Sequence, residues 1–310
     1  MTASALPVGR EAITRKGWLK AHRFLLLRRA SQLGFLALFV AGPWFGLWIV
    51  QGTLASSLTL GTLPLTDPMM LLQSLFAGHW PEMTALIGAF IVLLAYGLLG
   101  GRLYCSWVCP INPVTDAANW LHRRLNLPKG WQPKRSTRLW ILGAVFAASA
   151  LTGTVVWELV NPITLLHRGI LFGMGFAWVF VLGIFLFDTL LARHGWCGHL
   201  CPVGAFYGAV GAKGLVRVSA SARSACDDCM DCYAVCPENH VISPALKGAE
   251  GTSPLILSPD CTACGRCIDV CAENVFTFTH RLDAQGAAPH VPTPRAGVPP
   301  RMSAKKEFSQ

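Results

Sequence analysis

Cys226-Asp-Asp-Cys229-Met-Asp-Cys232-Tyr-Ala-Val-Cys236-Pro237 and Cys261-Thr-Ala-Cys264-Gly-Arg-Cys267-Ile-Asp-Val-Cys271 are two copies of one pattern, C-x2-C-x2-C-x3-C. Three thiolates two residues apart can wrap one iron–sulfur cubane, whose corners lie too close together for a longer loop. The fourth ligand must come from elsewhere, and in bacterial two-cluster ferredoxins it comes from the other run. The spacing therefore assigns Cys226, Cys229, Cys232 and Cys271 to one [4Fe–4S] cluster, and Cys261, Cys264, Cys267 and Cys236 to a second, with iron as the metal. Zinc sites use two separated C-x2-C pairs, a poorer match to four clustered cysteines. Pro237 follows the first run as the pattern asks, whereas Ala272 follows the second, a change in a turn that leaves the ligands intact.

Outward from this stretch the composition changes. Of 310 residues 53% are hydrophobic and only 14% charged, a balance that describes a membrane protein with a soluble appendage. Four apolar runs have roughly the length a bilayer requires: Gln32 to Val50, Thr84 to Gly101, Leu139 to Trp157 and Ile170 to Phe187. The first is too long for the core of a signal peptide and is expected to bend at Pro43. The net charge of +10 follows the topology. Lys and Arg number seven before residue 30, seven from Arg102 to Arg138 and eleven after Phe187, while residues 53–83 carry none and 159–169 only Arg168. Positive flanks stay in the cytoplasm, so both termini and the clusters are expected on the cytoplasmic side of a multi-pass bacterial inner-membrane protein. In that reducing compartment clustered cysteines are metal ligands or redox groups rather than disulfides. A basic segment beside a membrane meets anionic lipid, and no nucleic-acid partner is expected.

The expected fold is thus an all-α bundle of four transmembrane helices with a C-terminal cytoplasmic ferredoxin-like domain. Its divisions are a basic arm (1–30), the membrane domain (31–202), a surface linker (203–214), the two-cluster domain (215–282) and a disordered tail (283–310). The membrane domain is expected to be a repeat. Asp67-Pro-Met-Met-Leu-Leu-Gln73 parallels Asn161-Pro-Ile-Thr-Leu-Leu-His167, each with an N-cap before a proline. Each is followed by an apolar run and a C-x3-C-P motif, Cys105-Ser-Trp-Val-Cys109-Pro110 and Cys197-Gly-His-Leu-Cys201-Pro202. Segment 68–78 is apolar but too short to span, so it should lie at the interface or re-enter. On a helix the cysteines of each pair face one side, and a parallel repeat would bring both pairs together at the cytoplasmic edge. Cys105, Cys109, Cys197 and Cys201 are open to a third metal centre, a redox-active dithiol, a site for a partner's metal, or simple packing.

Gly195-Trp-Cys-Gly-His-Leu-Cys-Pro-Val-Gly-Ala-Phe-Tyr207, the Cys226 run ending in Cys-Pro-Glu238 and the Cys261 run together resemble the NapH family of membrane ferredoxin-type proteins, over roughly residues 30–282. The resemblance implies a quinol dehydrogenase subunit that passes electrons from membrane quinol to a partner ferredoxin (NapG-like) and on to periplasmic nitrate reductase. Related membrane ferredoxins serve nitrous-oxide respiration, methylamine metabolism or oxidase copper assembly. Two other functions compete: an electron-supplying maturation factor that reduces a metal or cluster in a partner enzyme, and a structural anchor or docking subunit.

Quinol releases two electrons and two protons, so a base is needed. Glu158 and His167, with His79 and Glu82, are the outer candidates; Asp188 and His199, with His194, are the inner ones. No histidine lies within the apolar core of a span, which argues against a b-type haem pair. With no visible carrier across about 30 Å of hydrocarbon, the cytoplasmic side is the better placed for quinol. Gly169, Gly173 and Gly175 fit close helix packing better than a quinone ring.

Overall fold

The computed structural model describes residues 8–128, 130–131, 133–248 and 252–283; the expected tail, but for Asp283, lies outside them. The chain divides into two compact units, one of Met1–Leu25, Val216–Leu257 and Gly265–Gln310, the other of Leu26–Leu215 and Ser258–Cys264.

The larger unit is helical. Helix Arg23–Phe45 is the one helix among the described residues long and apolar enough to cross a membrane, while Met83–Leu99, Thr137–Thr152 and Gly175–Leu191 are apolar but shorter. Hydropathy locates these helices but misplaces three of their ends. The first stops at Phe45, where the Gly46 and Leu47 N–H groups donate back to the Gly42 and Ala41 carbonyls, so that Val50–Gly52 is free to become a strand. The third stops at Thr152 and a separate turn, Val156–Val160, follows. The expected run from Ile170 is cut between Phe172 and Gly175. Gly153 and Gly173 cause the last two breaks: both hold φ near +65° (64° and 66°), the left-handed cap conformation that glycine adopts without a Cβ clash.

The loop after the first helix is a three-stranded antiparallel meander, Val50–Gly52, Ser56–Thr59 and Leu63–Thr66, with Ser56 opposite Thr66. It leads into the short helix Pro68–Phe76, and the Asp67 carboxylate accepts the Met69 N–H at 2.9 Å. Asn161 caps Pro162–Phe172 in the same way, accepting the Ile163 N–H at 3.1 Å. The core gathers Met69, Tyr104, Val145, Trp157, Ile163 and Tyr207. Segment 203–214, expected at the surface, instead begins as part of helix Pro202–Val210, whose residues Pro202 to Gly208 are all buried and which packs on Thr137–Thr152. Seven successive small or apolar residues have no polar face to offer water. Many large apolar side chains of this unit point outward, with Trp140 78% and Leu151 87% exposed, the kind of surface that marks a membrane or protein interaction site.

The smaller unit pairs strand Val216–Ser219 with Thr277–His280, antiparallel, and packs helix Asp231–Val235 against Arg266–Val270. Residues 8–25, treated above as part of a separate arm, fold into this unit. The Gly9 N–H donates to Asp231 at 2.8 Å, Arg15 pairs with Glu273, and Lys16 Nζ donates to the Ile268 carbonyl at 3.1 Å. The Asp269 carboxylate accepts the Phe24 and Leu25 N–H groups at 3.1 and 2.9 Å.

Candidate functional site

The two cysteine runs share one backbone. In the first, Asp228 and Met230 flank Cys229 with φ of 59° and 64°; in the second, Ala263 and Gly265 flank Cys264 with φ of 45° and 73°. Left-handed residues on each side of the middle cysteine coil the chain tightly, and three non-glycine residues are held there against their preference. A five-residue helix follows each, Asp231–Val235 and Arg266–Val270, and the final cysteine is extended.

In the smaller unit Cys226, Cys229, Cys232 and Cys271 line one cavity with Tyr233, Leu246 and Phe276. Cys271 of the second run thus lies beside the first three cysteines of the first. Burial pushes the Cys226 and Cys271 thiols up, and the Cys229 and Cys232 thiols up to about 12; the charge of Cys229 and Cys226 adds to the effect at Cys232. Four soft donors that repel one another as thiolates are suited to a cationic iron–sulfur core. Backbone N–H groups already point at the sulfurs, among them Val275 to Cys271 at 3.4 Å. Of the second set, Cys236 and Cys267 lie in this unit, while Cys261 and Cys264 lie on the 258–264 loop of the larger one.

In the larger unit the two C-x3-C-P motifs differ from one another: Cys105 lies on an α-helix that ends before Cys109, whereas Cys197 lies on a π-helix that ends before Cys201. The Cys109 N–H donates to the Tyr104 carbonyl at 3.0 Å, closing the C-terminal end of the α-helix Leu103–Trp107, and the Cys201 N–H donates to the Trp196 carbonyl at 2.9 Å, closing the π-helix Trp196–Leu200. The turns are neighbours. Arg102 donates to the Cys197 carbonyl at 3.3 Å, and the Thr115 hydroxyl lies 3.6 Å from Cys197 Sγ. Burial pushes all four thiols up. Neighbouring thiolates then contribute, with Cys109 feeling Cys105 and Cys201, and Cys197 feeling Cys201 and Cys109.

The quinol candidates divide between two places. Asp188 is fully buried; its Oδ1 accepts the Trp196 N–H at 2.8 Å, next to Cys197, and its Oδ2 has no partner among the described residues. His199 is buried within the Trp196–Leu200 turn. Glu158 accepts from Asn161 at 3.3 Å and pairs with Arg168 at 3.5 Å. His167 is not at a wet helix end: it is 1% exposed, edge-on to Phe39, and neither ring nitrogen has a partner among the described residues.

Some groups here had escaped notice. Three of the four tyrosines in the chain form one cluster. Tyr104 and Tyr207 stack at 4.8 Å, and the Tyr207 hydroxyl donates to Asp67 at 3.3 Å. Arg102 and Arg138, counted above only as positive charge in a loop, are buried, and both reach Asp260. Tyr96, Tyr104 and Tyr207 meet only through the tertiary fold, so no local stretch of sequence signals the cluster.

A family model described as a 4Fe-4S binding domain matches residues 82–128 and again 174–219, the segments that carry the C-x3-C-P motifs, and a 4Fe-4S dicluster domain matches 225–275. The chain is 51% identical to the ferredoxin-type protein NapH of Escherichia coli (strain K12), over 88% of this chain and 95% of that protein. It is 55% identical to the methylamine utilization ferredoxin-type protein MauN of Paracoccus denitrificans (strain Pd 1222), over 87% and 95%. Ferredoxin-type protein NapH of Haemophilus influenzae is 50% identical, over 90% and 97%. No solved structure matches.

Proposed function

We propose that this chain, which belongs to the ferredoxin-type iron–sulfur protein family shared by NapH and MauN, is the membrane subunit that oxidises quinol and delivers the electrons to a partner ferredoxin. The cavity lined by Cys226, Cys229, Cys232 and Cys271 carries this reading, because four converging thiols in a ferredoxin-like segment suit an iron–sulfur cluster that transfers single electrons. The clusters, when bound, accept and release single electrons. Everything else falls to the chain. It holds eight sulfurs, Cys226, Cys229, Cys232 and Cys271 for one cluster and Cys261, Cys264, Cys267 and Cys236 for the other. It anchors them at a bilayer, and it must supply a base for the two protons of quinol.

The anchor is read as four spans, Arg23–Phe45, Met83–Leu99, Thr137–Thr152 and Gly175–Leu191, with Pro68–Phe76 and Pro162–Phe172 re-entering. Helices of 16 or 17 residues are about 25 Å long, slightly short of a hydrocarbon core of about 30 Å. The outward Trp and Leu side chains support a lipid-facing surface. For the base, Asp188 and His199 are preferred over Glu158 and His167, since Asp188 is bonded beside Cys197 and keeps one carboxylate oxygen unpartnered.

Identity to NapH supports periplasmic nitrate reductase as the destination. Identity to MauN supports a second reading, electron supply to a methylamine-utilization system. Quinol-dependent cluster reduction in the variants Asp188→Asn and His199→Ala, compared with His167→Ala and Glu158→Gln, tests the site. Loss confined to the first pair is expected; loss confined to the second would move quinol to the outer side. Deleting the coding sequence separates the destinations, with impaired growth on nitrate expected and impaired growth only on methylamine favouring the second.

A further inference from the structure

We propose that Cys105, Cys109, Cys197 and Cys201 are the four ligands of a third iron–sulfur cluster, held inside the larger unit. Each motif closes a turn that ties its second cysteine to the carbonyl just before its first. The second turn is a five-residue π-helix, Trp196–Leu200, a rare form found frequently at functional sites. The two motifs, side by side and each presenting two thiols, make a four-donor set from two short elements.

The surroundings supply what such a centre needs and a packing role does not. A cluster with four thiolates is an anion, and an anion without a counter-charge is not tolerated in a dry interior. Arg102 is 3% and Arg138 6% exposed. Arg102 donates to the Cys197 carbonyl at 3.3 Å, Arg138 donates to the Gly198 carbonyl at 3.1 Å, and Asp260 fixes both guanidinium groups. Small apolar packing around four inert thiols would have no use for two buried cations.

The turn is also tied to a second cysteine-bearing loop of the same unit. The Ser106 hydroxyl donates to the Thr262 carbonyl at 2.7 Å, Trp107 Nε1 to the Ala263 carbonyl at 3.1 Å, and Arg102 to the Asp260 carbonyl at 2.7 Å. Ser106 and Trp107 follow Cys105, and Thr262 and Ala263 lie between Cys261 and Cys264. One short helix, Leu103–Trp107, therefore carries a ligand of the proposed centre and grips the backbone of the second ferredoxin run.

The test needs no quinol, so it fails or succeeds apart from the electron-donor reading. Full-length protein is purified anaerobically and loaded until the electron paramagnetic resonance signals of the two ferredoxin clusters integrate fully. Iron, acid-labile sulfide and zinc are then counted per chain. More than the eight irons of two [4Fe–4S] clusters is expected, with sulfide in proportion. The combined variant Cys105→Ser and Cys197→Ser should return to eight with both ferredoxin signals intact. Eight irons in the unsubstituted protein, stoichiometric zinc in place of the excess, or an excess that survives the double substitution would each overturn the proposal. The count on the unsubstituted protein decides even if the variant does not assemble.

Discussion

Asp67 and Asn161 do the same work at equivalent points of the two halves, each accepting an N–H at the start of a proline-led helix. A carboxylate and an amide oxygen are close to interchangeable as N-caps, whereas alanine offers no acceptor. Asp67→Asn is expected to leave the unfolding midpoint in detergent nearly unchanged, and Asp67→Ala to cost about 1 kcal/mol. Equal losses would show that the charge, or its bond from Tyr207, matters more than the cap. Lys16 acts at the same scale. Burial lowers its pKa while the neighbouring Cys271 and Asp269 charges raise it, and its ammonium is tied to the Ile268 carbonyl. A positive charge there favours the reduced form of the centre that Cys271 is proposed to hold. Lys16→Met is expected to lower that midpoint potential by an amount on the order of tens of millivolts, measured by a redox titration; no change would detach the lysine from the centre.

Among the elements, the start of helix Arg23–Phe45 shows why some features were legible in the sequence and others were not. The cysteine spacing and the Asp-Pro and Asn-Pro starts are local signals, because donor and acceptor are a few residues apart, and they could be read directly. The first turn of this long helix carries no local cap. Its free N–H groups at Phe24 and Leu25 are met by Asp269, 245 and 244 residues away, and no window of sequence holds both partners. For the same reason Arg15, Lys16 and their neighbours read as a solvated positive arm, although Glu273 and Ile268 receive them. Hydropathy likewise found the apolar helices but not their ends, which depend on backbone angles at Gly153 and Gly173. It also missed the meander 50–66 and the π-helix Trp196–Leu200. Asp269→Ala removes a buried, charge-assisted cap and is expected to destabilise the protein by about 1–3 kcal/mol in denaturant unfolding, with Asp269→Asn recovering part of the loss. A change below a few tenths would mean that water caps the helix equally well.

For the whole molecule, the proposed four-span reading together with the positive charge predicts one orientation. Thr62 sits at the exposed turn between two strands of the meander, in the stretch that lacks lysine and arginine. Thr62→Cys in intact cells is expected to react with a membrane-impermeant thiol reagent, while a reporter that works only in the cytoplasm is active when fused to the C-terminus. A protected Thr62→Cys with an inactive reporter would invert the arrangement. The proposed destination of the electrons, nitrate reductase or a methylamine system, lies with partners. The task proposed for the chain itself is narrower, to take electrons from quinol into bound iron. The most direct measurement is therefore electron paramagnetic resonance of the anaerobically purified, iron-loaded protein before and after addition of quinol, alongside a redox titration. Signals of reduced [4Fe–4S] clusters should grow on adding quinol and follow the titrated potentials. Clusters that are present and reducible by dithionite but untouched by quinol would contradict the account.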